Sequence, residues 1–205
     1  MRTEIIRAGH GESIQRALEV LHKGGLVSFP TDTVYGLGAL AFDGKAVESI
    51  YLAKDRPIEK AIPVLIGDDT DLEKVSDNIS DVARKLASRF WPGPLTVIVP
   101  KKPTLPESVS ATDTVGVRIP DHPVARELLR AAGPMAVTSA NISGQSSPST
   151  AQEVFDQLNG RIELIIDGGR TAGGVPSTVV DYSGSEIRVL REGPITLEQI
   201  LSLIS

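Results

Sequence analysis

Thr31, Asp32 and Thr33 set two hydroxyls and a carboxylate directly after the apolar run Leu26-Val27-Ser28-Phe29, with Gly36 and Gly38 following. Sixteen residues beyond Gly38, Lys54-Asp55-Arg56-Pro57 supplies two cations. Pro57 forces Arg56 towards an extended backbone, so the pair lies at a helix end and not along one helical face, where both side chains can turn to a phosphate. Alternatively, Lys54 complements a helix C-terminus and Arg56 is solvated. Arg118 stands between Val117 and Ile119 and shares its strand face with Gly116. A cation in such a strand needs an anion. That anion is either a protein carboxylate such as Asp121 or Asp32, or a substrate carboxylate gripped by the planar guanidinium fork. Thr138-Ser139-Ala140-Asn141 offers hydroxyl and amide donors for phosphates, or else the residues of a backbone-satisfying turn.

These groups require a frame. Ile14, Ala17, Leu18 and Leu21 recur at helical spacing after Ser13, an N-cap candidate, and Gly24-Gly25 closes the segment. Leu26–Phe29 reads as a strand stopped by Pro30, the motif after it as a polar loop, and Ala46 to Lys54 as a second helix. Further helices are predicted over 79–90, 123–132 and 151–158, and strands over 95–99, 115–119, 135–138, 163–167, 178–182 and 187–190. Thr196 and Gln199 open a last helix as a capping box. Several strands are apolar throughout, which predicts helices over both sheet faces in a three-layer α/β arrangement with mixed strand directions. The polar motifs begin where apolar strands stop, so one crevice outside the strand ends is expected to collect them. Stretches 101–114 and 143–150 read as loops, the second a candidate lid.

Composition narrows the classes. The 205 residues fit one domain, 1–205, with a substantial core. The chain has no cysteine, which excludes disulfide and thiolate chemistry, and His10, His22 and His122 lie too far apart in sequence to suggest a metal site. A metal site built by the protein is not expected. The formal charge of −5 argues against a broad basic nucleic-acid surface. No apolar run of about 20 residues and no signal-like N-terminus is present, so no membrane partner and a cytoplasmic location are expected. Gly168-Gly169-Arg170-Thr171-Ala172-Gly173-Gly174 could form a backbone nest for an anion, but no Gly-Lys-Ser/Thr follows, so it is not a Walker loop.

Taken together, the 29–38 motif, Lys54-Asp55-Arg56-Pro57, Val115-Gly116-Val117-Arg118-Ile119-Pro120 and Thr138-Ser139-Ala140-Asn141 resemble the YrdC-like family of threonylcarbamoyl-AMP synthases, from about residue 14 to Arg191. The resemblance implies a three-layer fold with a twisted mixed sheet and a large open cleft. It implies an enzyme, a nucleotidyltransferase making L-threonylcarbamoyladenylate and pyrophosphate from L-threonine, bicarbonate or CO2, and ATP, with Mg2+ carried on the ATP. It assigns Lys54 and Arg56 to catalysis. It assigns Lys54, Arg56, Ile58, Thr114, Ser139, Asn141, Ser147 and Arg191 to ATP, and Thr31, Tyr35, Pro63, Arg118, Thr138 and Ser177 to threonine. Asp55 departs from the family, where a glycine is common. The product is expected to pass to a partner transferase for the threonylcarbamoyladenosine modification of tRNA, and the chain, ending about fourteen residues past Arg191, looks like the short single-domain form. Two alternatives stand beside this. One is a YrdC-like module that binds RNA or tRNA weakly, without adenylating; the 4% aromatic content leaves it few stacking platforms. The other is a divergent paralogue of the YciO kind, which the intact Lys54–Arg56 pair argues against.

Overall fold

The computed structural model describes residues 2–9, 11–182 and 186–204; His10 lies outside the described residues. Strands β1 (Glu4–Arg7), β2 (Val27–Pro30), β3 (Tyr35–Leu40), β4 (Val64–Leu65), β5 (Leu95–Pro100), β6 (Thr114–Arg118), β7 (Met135–Ser139), β8 (Leu164–Asp167), β9 (Thr178–Asp181) and β10 (Arg188–Arg191) join in one sheet. Its order is β1-β8-β2-β3-β7-β4-β6-β5-β9-β10. β8 runs parallel to both β1 and β2, β4 parallel to β6, and β5 parallel to β9. The remaining pairs are antiparallel. The mixed sheet expected from the strand pattern is present.

The helices are α1 (Glu12–Leu21), α2 (Gly44–Lys54), α3 (Leu72–Val75), α4 (Asp81–Phe90), α5 (Pro123–Ala132), α6 (Ala151–Leu158) and α7 (Leu197–Ile204). Most start on short polar side chains. Asp43, Ser80 and Thr150 accept from the backbone N–H three residues on, at 3.1, 3.2 and 3.2 Å. Thr196 and Gln199 exchange the reciprocal bonds of a capping box, 2.9 and 3.3 Å. At α1 the expectation fails: the cap position is Gly11, in a left-handed conformation, and Ser13 is buried inside the first turn, accepting from Gly9 N. Ser13 hydrogen-bonds backwards to the entering chain, and a glycine takes the positive φ.

Two apolar layers hold the sheet. α1 and α5 pack on one face against Val27, Phe29, Val137, Leu164 and Ile166. On the other face α2, α4, α6 and α7 pack against Leu37, Val97, Val117 and Ile165. β3 is a strand where a loop was read from the sequence. Its Tyr35, Leu37 and Ala39 are buried on the α2 side, while Gly36 and Gly38 face Val137 and Met135 so closely that a Cβ would stand 2.7 and 3.0 Å from their side chains. Glycine there lets β7 side chains press onto the β3 backbone.

One expectation about the layers needs correction. Strands β5, β6 and β9 alternate on the α1–α5 side, and their residues Thr96, Ile98, Gly116, Arg118 and Val179, with Ser177 just before β9, line an open cleft. The α1–α5 layer stops short of them. The cleft therefore lies on an uncovered part of the sheet face as well as beyond strand ends. A period-two pattern is the signature of such a half-open strand.

Candidate functional site: a polyarginine cleft on the sheet

The cleft encloses about 440 Å3. The β2–β3 turn brings Thr31 and Thr33, β6 brings Thr114 and Arg118, the end of β7 brings Thr138 and Ser139, the residue before β9 is Ser177, and β10 brings Arg191. Arg56 enters from beyond α2, and Pro63 from the segment before β4. Gly116 keeps the floor low: a Cβ there would sit 2.9 Å from the Thr96 methyl and 3.4 Å from both Ile98 and Pro63.

Arg118 is 5% exposed. Its Nε donates to Gly93 O at 2.9 Å, Nη1 to Thr33 Oγ1 at 3.1 Å, and Nη2 to the Asp32 carboxylate. Both sequence readings of Arg118 therefore meet, since it is paired with Asp32 and it lines the cleft. A guanidinium has five N–H donors, so two remain for a ligand. Asp32 also accepts from Asp121 N at 3.1 Å, tying the β2–β3 turn to the end of β6.

Arg56 anchors through Nε to Lys60 O at 3.1 Å and Nη2 to Ala61 O at 2.9 Å. Arg191 donates to Ser177 O and Ser177 Oγ at 2.9 and 3.0 Å. Burial pushes Arg56, Arg118 and Arg191 down from the usual arginine range, and Arg191 is pushed further by the charges of Arg118 and Arg56. Three cations close enough to oppose one another make a local anion site on an acidic chain.

Lys54 does not line this cleft. It is 1% exposed, and its ammonium donates to the Ser139 and Asn141 carbonyls. Burial, with Arg56 nearby, lowers it to about 7. Two of its three N–H donors are taken by these carbonyls. Asn141, 6% exposed, donates to Ile142 O and Gln145 O at 2.8 and 2.9 Å, and its Oδ1 is buried with no hydrogen-bond partner. Thr31 uses its hydroxyl to close the turn, donating to Val34 O at 2.6 Å. Tyr35 is fully buried on the opposite face, its hydroxyl bonded to Gly169 O at 2.7 Å and pushed up to about 12 by burial. Tyr35, exposed Ile58, Asn141 and Ser147, like Lys54, do not line the cleft, so these five are not brought together with the rest.

The glycine-rich loop is not a nest. Gly168 N donates to Tyr35 Oη, Gly169 N to Asp167, Thr171 N to Ser149 O and Gly174 N to Thr33 O. Gly174 N fastens it to the β2–β3 turn, on which Gly173 lies so tightly that a Cβ would be 2.6 Å from Asp32 O. The 143–150 loop is likewise anchored, by Tyr35 N to Pro148 O, Ser149 N to Glu153 and Gln157 Nε2 to Ser146 O. Asp55, at the position where the resembled family commonly has glycine, ends α2 with φ 51° and pairs with Arg161 at 2.8 Å. The left-handed backbone explains why a glycine fits there.

Cleft residues that the sequence reading did not single out include Thr96 and Asp181. Thr96 had a signal: it is the hydroxyl inside the otherwise apolar run 95–99.

A family model described as telomere recombination, covering Sua5, YciO and YrdC, matches residues 19–193. The chain belongs to the Sua5/YciO/YrdC family. Among Sua5/YciO/YrdC relatives, the chain is 45% identical over 194 residues to a threonylcarbamoyl-AMP synthase of Bacillus subtilis, covering 93% of this chain and 56% of that protein. The structure of Pyrococcus abyssi Sua5 complexed with L-threonine superposes with a TM-score of 0.94 at 42% identity, covering 100% of this chain and 61% of that one. Escherichia coli YciO superposes at 0.87 with 29% identity, covering 97% and 99%. The chain thus spans a little over half the length of the curated relatives from Bacillus subtilis and Pyrococcus abyssi, 56% and 57%.

Proposed function

We propose that the protein is a nucleotidyltransferase that makes L-threonylcarbamoyladenylate and pyrophosphate from L-threonine, bicarbonate or CO2, and ATP. The observation that carries the reading is the convergence of Arg56, Arg118 and Arg191 with threonine and serine hydroxyls in one cleft. An amino acid carboxylate and a triphosphate are both anions, and each needs its own cation. The synthase names of its relatives and the L-threonine in the Pyrococcus abyssi structure support this choice of substrates.

In this reading the two unused N–H groups of Arg118 hold the threonine carboxylate, with Ser177 and Thr138 beside it. The threonine amine adds to CO2, losing a proton, to give a carbamate. A carbamate oxygen attacks the α-phosphorus, its P–O bond forms, and the bond to pyrophosphate breaks. Arg56 and Arg191 offset charge on the phosphates, while Lys54 fixes the Ser139–Asn141 backbone beneath them. Among the described residues no group of three or more His, Cys, Asp or Glu is placed to hold a metal ion. The reading has Mg2+ arriving on ATP oxygens, as part of that substrate. Product would pass to a transferase that modifies tRNA, and the reaction would belong in the cytoplasm; no helix among the described residues is long and apolar enough to cross a membrane.

The test is pyrophosphate release from ATP with Mg2+, with and without L-threonine and bicarbonate, and with serine as control. Release that requires both co-substrates is expected. Release indifferent to threonine would remove the synthase reading.

A further inference from the structure

Neither the family resemblance nor the proposed reaction gives Thr96 a role, yet it lies on the cleft floor with its hydroxyl 2.8 Å from Ser177 Oγ. The two residues are 2% and 4% exposed. Ser177's backbone is fixed independently, because Arg191 Nε donates to its carbonyl at 2.9 Å and Gly193 packs so closely that a Cβ would stand 2.6 Å from Ser177 C. What remains to be set is the direction of the serine hydroxyl.

Ser177 Oγ has two lone pairs and one proton. Arg191 Nη2 can only donate, so it fills one lone pair, at 3.0 Å. Thr96 Oγ1 has no other hydrogen-bond partner among the described residues. Two hydroxyls sharing one bond leave one proton over, in a cleft whose charged walls are Arg56, Arg118, Arg191 and Asp181, the last paired with Arg188. If Thr96 donates, both Ser177 lone pairs are filled and the serine proton is released towards the cavity, where it can meet only an acceptor.

We infer that Thr96 is a positioning residue that turns Ser177 into a hydrogen-bond donor for an anionic oxygen of the bound amino acid. This rests on the proposed reading of the cleft. The Thr96 methyl has a separate job against Gly116, which makes the two halves of the side chain separable by substitution.

The experiment begins with the wild type, measuring L-threonine binding by calorimetry and threonine-dependent pyrophosphate release. If neither occurs, the proposed function falls and the inference with it. Given an active wild type, Thr96→Val keeps the shape and removes the hydroxyl. Its KM for threonine is expected to rise about five- to tenfold, the size of one hydrogen bond, with kcat and the KM for ATP within about twofold. Thr96→Ser restores the hydroxyl without the methyl and is expected to return KM to within about twofold. Because Thr96 acts through Ser177, adding Thr96→Val to Ser177→Ala should cost nothing further. An unchanged KM in Thr96→Val, a Thr96→Ser as poor as Thr96→Val, or additive effects in the double variant would each overturn the inference while leaving the proposed function in place. Thermal unfolding of each variant confirms that it is folded.

Discussion

Arg118 serves two carboxylates at once on the proposed reading, and its partner inside the protein is the one that is always present. Arg118→Ala removes the ligand's anchor and leaves Asp32 unpaired, with 14% of its side chain exposed. Breaking a buried pair by removing one partner costs about 3–5 kcal/mol, so both stability and threonine affinity should drop. Asp32→Asn separates these. It is expected to lower stability while retaining measurable threonine binding, and a complete loss of binding would mean that Asp32 is needed to hold Arg118 in its binding position. Arg56, fastened through two carbonyls of the following loop, is not part of the core. Arg56→Ala is expected to reduce turnover at least about a hundredfold with the fold intact, as in other cases where one charge-stabilising donor is lost. A near wild-type rate would take Arg56 out of the chemistry. At this scale the sequence was informative about residue type and much less about orientation. Arg118 stood out as a charge in an apolar strand, and its pairing with Asp32 was one of the two options its chemistry allowed. Lys54 and Tyr35 show the other side: nothing in local sequence says that Lys54 turns to the carbonyls of Ser139 and Asn141, or that Tyr35 faces away from the cleft, because each depends on how α2 and β3 are placed against β7.

The elements missed by pattern alone were those whose signal is weakest for a physical reason. β1 has four residues and is mostly exposed, β4 has two, and β3 alternates glycines with apolar residues. Glycine disfavours strands in general, and here it is used because a neighbour's side chains occupy the space of a Cβ. Gly36→Ala should therefore destabilise the protein by about 1–3 kcal/mol, the cost of overpacking, measured as a lower urea midpoint with an unchanged slope. Long amphipathic helices were legible, because their apolar stripes repeat over several turns. α5 also carries a measurable electrostatic anchor. Its Arg126 and Arg130 meet Asp68, on the segment after β4, at 2.8 and 2.7 Å. The two guanidiniums lower the Asp68 carboxyl to about 2. A lowered carboxyl contributes stability that is present above its unfolded pKa and lost as pH falls through the folded one. Wild type should therefore exceed Asp68→Asn in stability above about pH 4, with the gap closing as pH falls towards 2; a gap independent of pH would remove the ion pair as its cause.

At the level of the whole molecule, the layer order was foreseeable from the strand pattern and an open cleft from the family resemblance, but not the place of that cleft on the sheet face. Continuous apolar strands predicted helices on both faces, but the reach of α1 and α5 across the sheet depends on connection lengths and packing that no single segment encodes. The gap that α1 and α5 leave is the cleft. It also concentrates positive charge on a chain whose formal charge is −5. Three clustered arginines predict modest salt sensitivity for any tRNA contact, with a slope of log affinity against log salt of about −2. A much steeper slope would reveal a broader basic surface and favour an RNA-binding role.

The position of β8 carries a consequence for the order in which the chain can be built. β1 and β2 both pair with β8, which ends at Asp167. On a ribosome the N-terminal strand must wait until most of the protein has been synthesised before its partner exists, and β2 meanwhile has only its hairpin with β3. A chain released before Leu164 would expose two unpaired strand edges together, a template for aggregation, so interrupted translation should yield insoluble fragments and not a smaller folded core.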